Sequence, residues 1–155
     1  MDTIIRYAKT EELKAVQDLN FSLFTAENSN DELLDMDWPY NEGERYFKNL
    51  ISGECGVCFV AELEGELVGY IAGSITDTNG YRPVKRSELE NMFVKEPFRG
   101  NGIGDKLAKV FLNWSKNNGA QRCFVVAYTQ NARAMEFYLK AGFSPYSSEL
   151  EVQLD

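Results

Sequence analysis

A mixed α/β fold in one domain spanning 1–155 is predicted by three observations. Apolar segments of strand period and of helix period alternate in the order β-α-α-β-β-β-α-β-α-β. Hydrophobic residues make up 44% of the chain and aromatics 13%, enough to fill a core at this length. No internal repeat, low-complexity tract or linker divides the sequence.

Residues 3–8 carry Ile4, Ile5 and Tyr7 and read as a strand, and Thr10-Glu11-Glu12 then opens a helix over 11–25. On that helix Leu13, Val16, Leu19 and Leu23 form one buried stripe. Residues 28–40 are polar and acidic, with Glu32, Asp35, Asp37 and the Trp38-Pro39 pair, and read as a loop with one helical turn. A second helix runs over 41–51, with Asn41 as its N-cap, and stops at Ser52-Gly53.

Segments 57–63 and 67–76 are β-rich and joined by the short Glu64-Gly65-Glu66 link of an antiparallel hairpin, and Cys58 packs there as a small hydrophobe. A turn-rich excursion over 77–86 precedes a strand at 87–95. A period of two would place Leu89, Asn91 and Phe93 on one face of that strand and Glu88, Glu90, Met92 and Val94 on the other. Pro97 stops it. Ile103, Leu107, Val110, Phe111 and Trp114 mark a long amphipathic helix that ends at Asn118-Gly119. A strand at 123–128, a helix at 131–141 capped by Gly142 and a closing strand at Val152 to Leu154 complete the order.

Composition removes several chemistries. The net charge of −8 opposes non-specific nucleic-acid binding and favours a cationic partner. The absence of histidine removes the Ser-His-Asp and Cys-His systems, so carboxylates, tyrosine, cysteine, lysine or water must move protons. Three cysteines, Cys55, Cys58 and Cys123, give neither a disulfide framework nor a closed zinc site, and no metal is expected. The first residues, Met1 to Arg6, lack the regions of a signal peptide, and no apolar run reaches membrane length, so a cytoplasmic protein is expected, with no membrane partner.

The sharpest local feature is Arg99-Gly100-Asn101-Gly102-Ile103-Gly104, which lies between a strand and a helix. Glycines there allow positive φ and close approach of a ligand, and backbone N–H groups at a helix start favour an anion. The alternative is that the glycines only make a tight strand-to-helix turn, with Arg99 solvated. No Walker A loop occurs, and the G-x-G-x-G spacing departs from the dinucleotide fingerprint, as does the absence of an acid at the end of the next strand.

Glu90-Asn91-Met92-Phe93-Val94-Lys95-Glu96-Pro97-Phe98-Arg99-Gly100-Asn101-Gly102-Ile103-Gly104 resembles the acetyl-CoA motif of the GNAT superfamily of N-acetyltransferases. Asn131-Ala132-Arg133-Ala134-Met135-Glu136-Phe137-Tyr138-Leu139-Lys140-Ala141-Gly142-Phe143 is similar to that superfamily's second signature. The resemblance implies a curved mixed sheet of about six to seven strands, flanked by about four helices and split around a cofactor cleft. It implies acetyl-CoA as donor, with the backbone of Met92, Phe93 and Val94 on the pantetheine arm and the amides of Arg99, Gly100, Asn101, Gly102, Ile103 and Gly104 on the pyrophosphate. Asn131 and Tyr138 would lie near the thioester sulfur, with Tyr138 as the acid for the departing thiolate. Met92-Phe93 stands where many members carry Leu-Tyr, which leaves the backbone role intact.

Glu88 and Glu90 are the candidate bases, since acids at alternate strand positions can hold a water or an ammonium. Asp31, Glu32, Asp35 and Asp37, interleaved with Met36, Trp38 and Tyr40, occupy the segment where the superfamily commonly builds its acceptor site, and would suit a cationic amine. Direct attack in a ternary complex is expected, because Cys123 has no basic partner to activate it. A different acyl-CoA, or a non-catalytic acyl-CoA-binding regulator, are the alternatives, and a homodimer stays open.

Overall fold

The computed structural model describes residues 2–155; Met1, the first residue of the N-terminal stretch read above, lies outside them. Strand β1 (Ile4–Tyr7) leads through a 3-10 turn at Thr10–Glu12 into α1 (Leu13–Glu27), and a second 3-10 turn at Trp38–Tyr40 precedes α2 (Glu42–Ser52). Then follow β2 (Gly56–Leu63), β3 (Glu66–Thr76), β4 (Arg86–Val94), a 3-10 turn at Glu96–Phe98, α3 (Ile103–Asn117), β5 (Arg122–Val125) and α4 (Ala132–Lys140). The strands form one sheet in sequence order, antiparallel except for the parallel β4–β5 pair.

Each face of the sheet carries its own core. Val16 and Leu19 of α1 and Phe47 and Leu50 of α2 pack on Cys58, Val60, Tyr70 and Ala72. Ile103, Leu107 and Phe111 of α3 pack on Val57, Phe59, Ala61, Val68, Ile71 and Leu89. Of the helix stripes read from the sequence, Val16, Leu19, Ile103, Leu107 and Phe111 are buried while Leu13, Leu23, Val110 and Trp114 are half-buried, and burial of this apolar surface is the main term holding helices to sheet. Between β2 and β3, Glu64 (φ 51°) and Gly65 (φ 82°) both take positive φ, the requirement of a tight two-residue hairpin turn.

Several expectations are corrected. The sheet has five strands among the described residues, fewer than the six to seven expected. Val152 to Leu154 forms no strand: Leu150, Val152 and Leu154 alternate as a strand face would, yet they pair with nothing and are exposed. β5 ends at Val125, three residues early, and Val126 is exposed. The N-terminus of α2 lacks the expected side-chain cap from Asn41. The first turn ahead of α1 is capped by Glu12, whose carboxylate accepts from the amide of Lys9 at 2.8 Å.

The largest correction concerns β4. The register shifts from Ala72↔Asn91 to Gly73↔Leu89, so Glu90 is the extra residue of a β-bulge. Period-two alternation breaks there. Leu89, Met92 and Val94 face α3, while Phe93 joins the core on the other face, and Glu90 and Asn91 both reach Tyr46 of α2. A Cβ at Gly73, beside the bulge, would overlap the carbonyl oxygen of Glu88 and the Phe111 ring. Gly73→Ala is therefore expected to destabilise the fold by about 2 kcal/mol, read as a lower urea midpoint at unchanged m-value.

Candidate acyl-CoA and acceptor site

The β4–β5 pairing ends at Leu89↔Val125, while β4 runs on to Val94. From Glu90 onward the two strands part, and the edge of β4 that β5 would have covered is left without a strand partner. Met92, Phe93 and Val94 lie on this stretch and pair only with β3, opposite Ile71, Tyr70 and Gly69. The strand-side wall of a cleft thus comes from a single cause, the early end of β5.

The glycine turn closes the far end of that wall. Gly100 (φ 81°) and Gly102 (φ 79°) take left-handed conformations, and Gly102 is the N-cap of α3. The first bond of the helix is donated by Lys106 N to Gly102 O; among the described residues no protein acceptor serves the amides of residues 100–105. These free donors converge at the positive end of the helix dipole. Asn101 turns its side-chain amide back to the carbonyls of Phe98 and Arg99, at 3.2 and 3.3 Å. Arg99 donates from Nε to Val94 O at 2.7 Å and lays its guanidinium over the Phe93 ring, 5.0 Å from the centroid, which ties the turn to the strand.

Gly104 has a different reason from its two neighbours. A Cβ there would sit 3.1 Å from Phe137 and 3.9 Å from the Met92 side chain, so the absent side chain lets α4 pack against the start of α3. Both sequence motifs meet at this contact. On α4, Tyr138 stacks edge-on with Phe137 and Phe143. Burial, then the charge of Glu27, pushes the Tyr138 phenol up to about 12. Among the described residues its hydroxyl has no hydrogen-bond partner, and it is not sealed in the core. Asn131 caps α4 by accepting from Ala134 N at 3.1 Å and donates from Nδ2 to Glu27 at 3.3 Å.

Glu90 sits where β4 and β5 part. Its two carboxylate oxygens accept from the Tyr46 and Ser74 hydroxyls, and Tyr46 in turn accepts from Asn91 Nδ2 at 3.0 Å. Among the described residues Glu88 has no hydrogen-bond partner; burial, with the Glu90 charge behind it and Arg86 opposing, raises its carboxyl above the ordinary value. Of the acids read in the 28–40 loop, Asp31 alone bonds a side chain of the C-terminal half, accepting from Tyr128 Oη at 2.7 Å in the loop ahead of the second motif. Asp35 is used in a local turn, accepting from Asp37 N. Trp38 stacks on Phe24 and leans on Tyr46, and Tyr40 points to Asp18 on the outer side of α1.

The structure thus gathers Glu88, Glu90, Met92, Phe93, Val94, the 99–104 turn, Asn131 and Tyr138 around one strand gap. Sequence reading missed Glu27, Tyr46, Ser74 and Tyr128, which reach the site from α1, α2, β3 and the loop after β5. No local signal marks them, since each acts through partners 16 to 104 residues away. A surface recess of about 610 Å³, lined by Tyr7, Cys55, Lys85 and Trp114 among others, contains none of the site residues.

Comparison with known proteins agrees with this geometry. The chain is 39% identical over 75 residues to an uncharacterized N-acetyltransferase, YobR, of Bacillus subtilis, a match covering 48% of this chain and 28% of that protein. It is 35% identical over 98 residues to an uncharacterized N-acetyltransferase of Archaeoglobus fulgidus, covering 61% and 65%. The matches therefore span between about a quarter and two thirds of these relatives. In fold, it is similar to the BH1408 protein of Bacillus halodurans (tetramutant; TM-score 0.86, 22% identity, 97% and 99% of the two chains). It is also similar in fold to the aminoglycoside N-acetyltransferase AAC(6')-Iy in complex with CoA (TM-score 0.75, 19% identity, 99% and 95%). The model of the Acetyltransferase (GNAT) family matches residues 24–143, well over half of the sequence, and the chain belongs to that family.

Proposed function

We propose that this protein transfers an acetyl group from acetyl-CoA to a primary amine of a small molecule, peptide or protein, by direct attack in a ternary complex. The observation that carries the reading is the row of unpartnered amides over residues 100–105 beside a stretch of β4 that no strand covers. The amides suit a pyrophosphate, and the uncovered β4 edge suits the amide-bearing pantetheine arm, which can add to it as a strand would. Acetyl-CoA, when bound, supplies the thioester carbonyl.

Transfer needs a neutral amine, a polarised carbonyl and a proton for the departing thiolate. Backbone N–H groups past the β4 bulge are placed to polarise the carbonyl. Glu90 or Glu88 takes the ammonium proton, directly or through water, so that the nitrogen lone pair can attack. As the C–N bond forms and the C–S bond breaks, the electron pair leaves on sulfur and Tyr138 protonates it; the second proton shed by the acylated nitrogen passes through water to the tyrosinate and restores the phenol, while the glutamate returns its proton to solvent. Cys123 takes no part: burial raises its thiol, which disfavours the thiolate a covalent route would need.

A cationic amine fits best. Glu27, Asp31, Glu88 and Glu90 stand around the gap, none of them in an ion pair among the described residues, and the net charge is −8. One fold neighbour is an aminoglycoside N-acetyltransferase, so aminoglycosides belong among the trial acceptors, beside polyamines, amino acids and peptides. Thiol release from acetyl-CoA over that panel tests the proposal. Release above the amine-free rate with at least one acceptor is the expected result. Tight CoA binding with no turnover on any amine would assign the chain as an acyl-CoA-binding regulator instead, and faster release from propionyl- or succinyl-CoA would reassign the donor.

A further inference from the structure

The Glu90 carboxylate is held in an unusual way for a surface-connected acid: both oxygens are engaged, and by neutral hydroxyls from two other elements. Tyr46 of α2 donates to Oε1 and Ser74 of β3 donates to Oε2. The Tyr46 hydroxyl has one proton, and it is given to Glu90; its lone pair accepts from Asn91 Nδ2 at 3.0 Å, so the donor is itself aimed. The Tyr46 ring is fixed by Trp38 at 5.4 Å and edge-on by Phe47 at 4.8 Å. Burial, then the Glu90 charge, holds the Tyr46 phenol far above its ordinary range, so it remains a donor at every working pH.

We infer that Tyr46 and Ser74 are positioning residues, which lock the Glu90 carboxylate at the β4 bulge as an oriented anion facing the acceptor amine. The inference rests on the function proposed above and adds two residues that no sequence motif marks. Its physical content is a contrast between kinds of partner. An arginine or lysine on Glu90 would cancel the charge that attracts and deprotonates an ammonium, whereas neutral hydroxyls fix the orientation and leave the charge in place. No ion pair is made by Glu90 among the described residues. The bulge is what makes this geometry available: with strict alternation Glu90 and Asn91 would lie on opposite faces, and Tyr46 could not bond both.

A carboxylate that loses one of two fixed partners is free to turn about its side-chain torsions, and a reacting group misplaced by about 1 Å can cost up to about 100-fold in rate. In Tyr46→Phe the ring keeps its contacts with Trp38 and Phe47, and the hydroxyl that donates to Glu90 and accepts from Asn91 is lost. A crystal structure of that variant should show the Glu90 carboxylate turned away from the position it holds in the parent. Its kcat for the amine should fall about tenfold, while KM for acetyl-CoA stays within about twofold. Ser74→Ala should act in the same direction on both.

The outcomes separate. An unmoved Glu90 carboxylate in the structures of both single variants overturns the positioning role, whatever the protein's activity. Loss of turnover in Glu90→Gln with wild-type kcat in Tyr46→Phe and Ser74→Ala also overturns it, and leaves the acyltransfer proposal standing. Wild-type turnover in Glu90→Gln removes Glu90 as the base and this inference with it. A displaced carboxylate in a protein with no turnover on any amine would keep the lock and reject the acyltransfer reading.

Discussion

Gly102→Glu is expected to weaken CoA binding about 100-fold, or about 2.7 kcal/mol, in calorimetric titration, with the protein still folded. Gly102 is the N-cap of α3 at φ 79°, in the middle of the unpartnered amides. A glutamate there would set a negative charge where the pyrophosphate is proposed to sit and would compete for the same donors. The substitution also places a side chain at positive φ, which costs roughly 1–2 kcal/mol of stability. That backbone cost has an internal control. Gly53, at the end of α2, has the same φ of 79°, and as at Gly102 nothing lies within 4 Å of where its Cβ would stand. Gly53→Glu should therefore lose similar stability and leave CoA affinity unchanged. Equal CoA affinity in the two variants would remove the turn as the cofactor site.

The contrast among the glycines shows what a sequence can carry. Gly100 and Gly102 are legible because positive φ is a local property of a strand-to-helix turn. Gly104 sits inside the same motif for a long-range reason, the approach of Phe137, which local spacing does not reveal. Helix stripes and the hairpin were legible for the same local cause, since periodicity and turn chemistry act over a few residues.

The errors have the opposite origin. A strand pattern read at period two assumes no bulge, and the residues at the break, Glu90 and Asn91, are polar and announce no preferred face. The Leu150, Val152, Leu154 alternation is a valid strand pattern, but a strand also needs a neighbour to pair with, and none lies beside it. Tyr46 reads from sequence as a helix residue flanking the buried Phe47, and Ser74 as a β-strand serine. Their meeting on one carboxylate depends on how α2 crosses the sheet. Candidate residues marked by motifs were thus visible in the sequence, and the partners that tertiary packing supplies to them were not.

Tyr138→Phe is expected to lower kcat about 100-fold while leaving KM for acetyl-CoA nearly unchanged. The ring is wedged edge-on between Phe137 and Phe143, and phenylalanine preserves both contacts. The hydroxyl makes no hydrogen bond in the protein, so its removal leaves no buried partner unsatisfied, and chemical denaturation should place the variant within about 1 kcal/mol of the parent. A loss of turnover at that small stability change therefore isolates the proton donated to the thiolate. The pH dependence supplies an independent sign. Burial and the Glu27 charge hold the phenol neutral up to about pH 12, so the wild-type rate should show no alkaline fall from Tyr138 across pH 7–10. The acid limb, set by the base on β4, should persist in the variant at the same pH, because Tyr138 stands on α4 across the gap and outside the Tyr46, Ser74 and Asn91 network. A Tyr138→Phe enzyme with wild-type kcat would pass the acid role to water, and an acid limb that moved would mean that the two walls of the cleft are coupled.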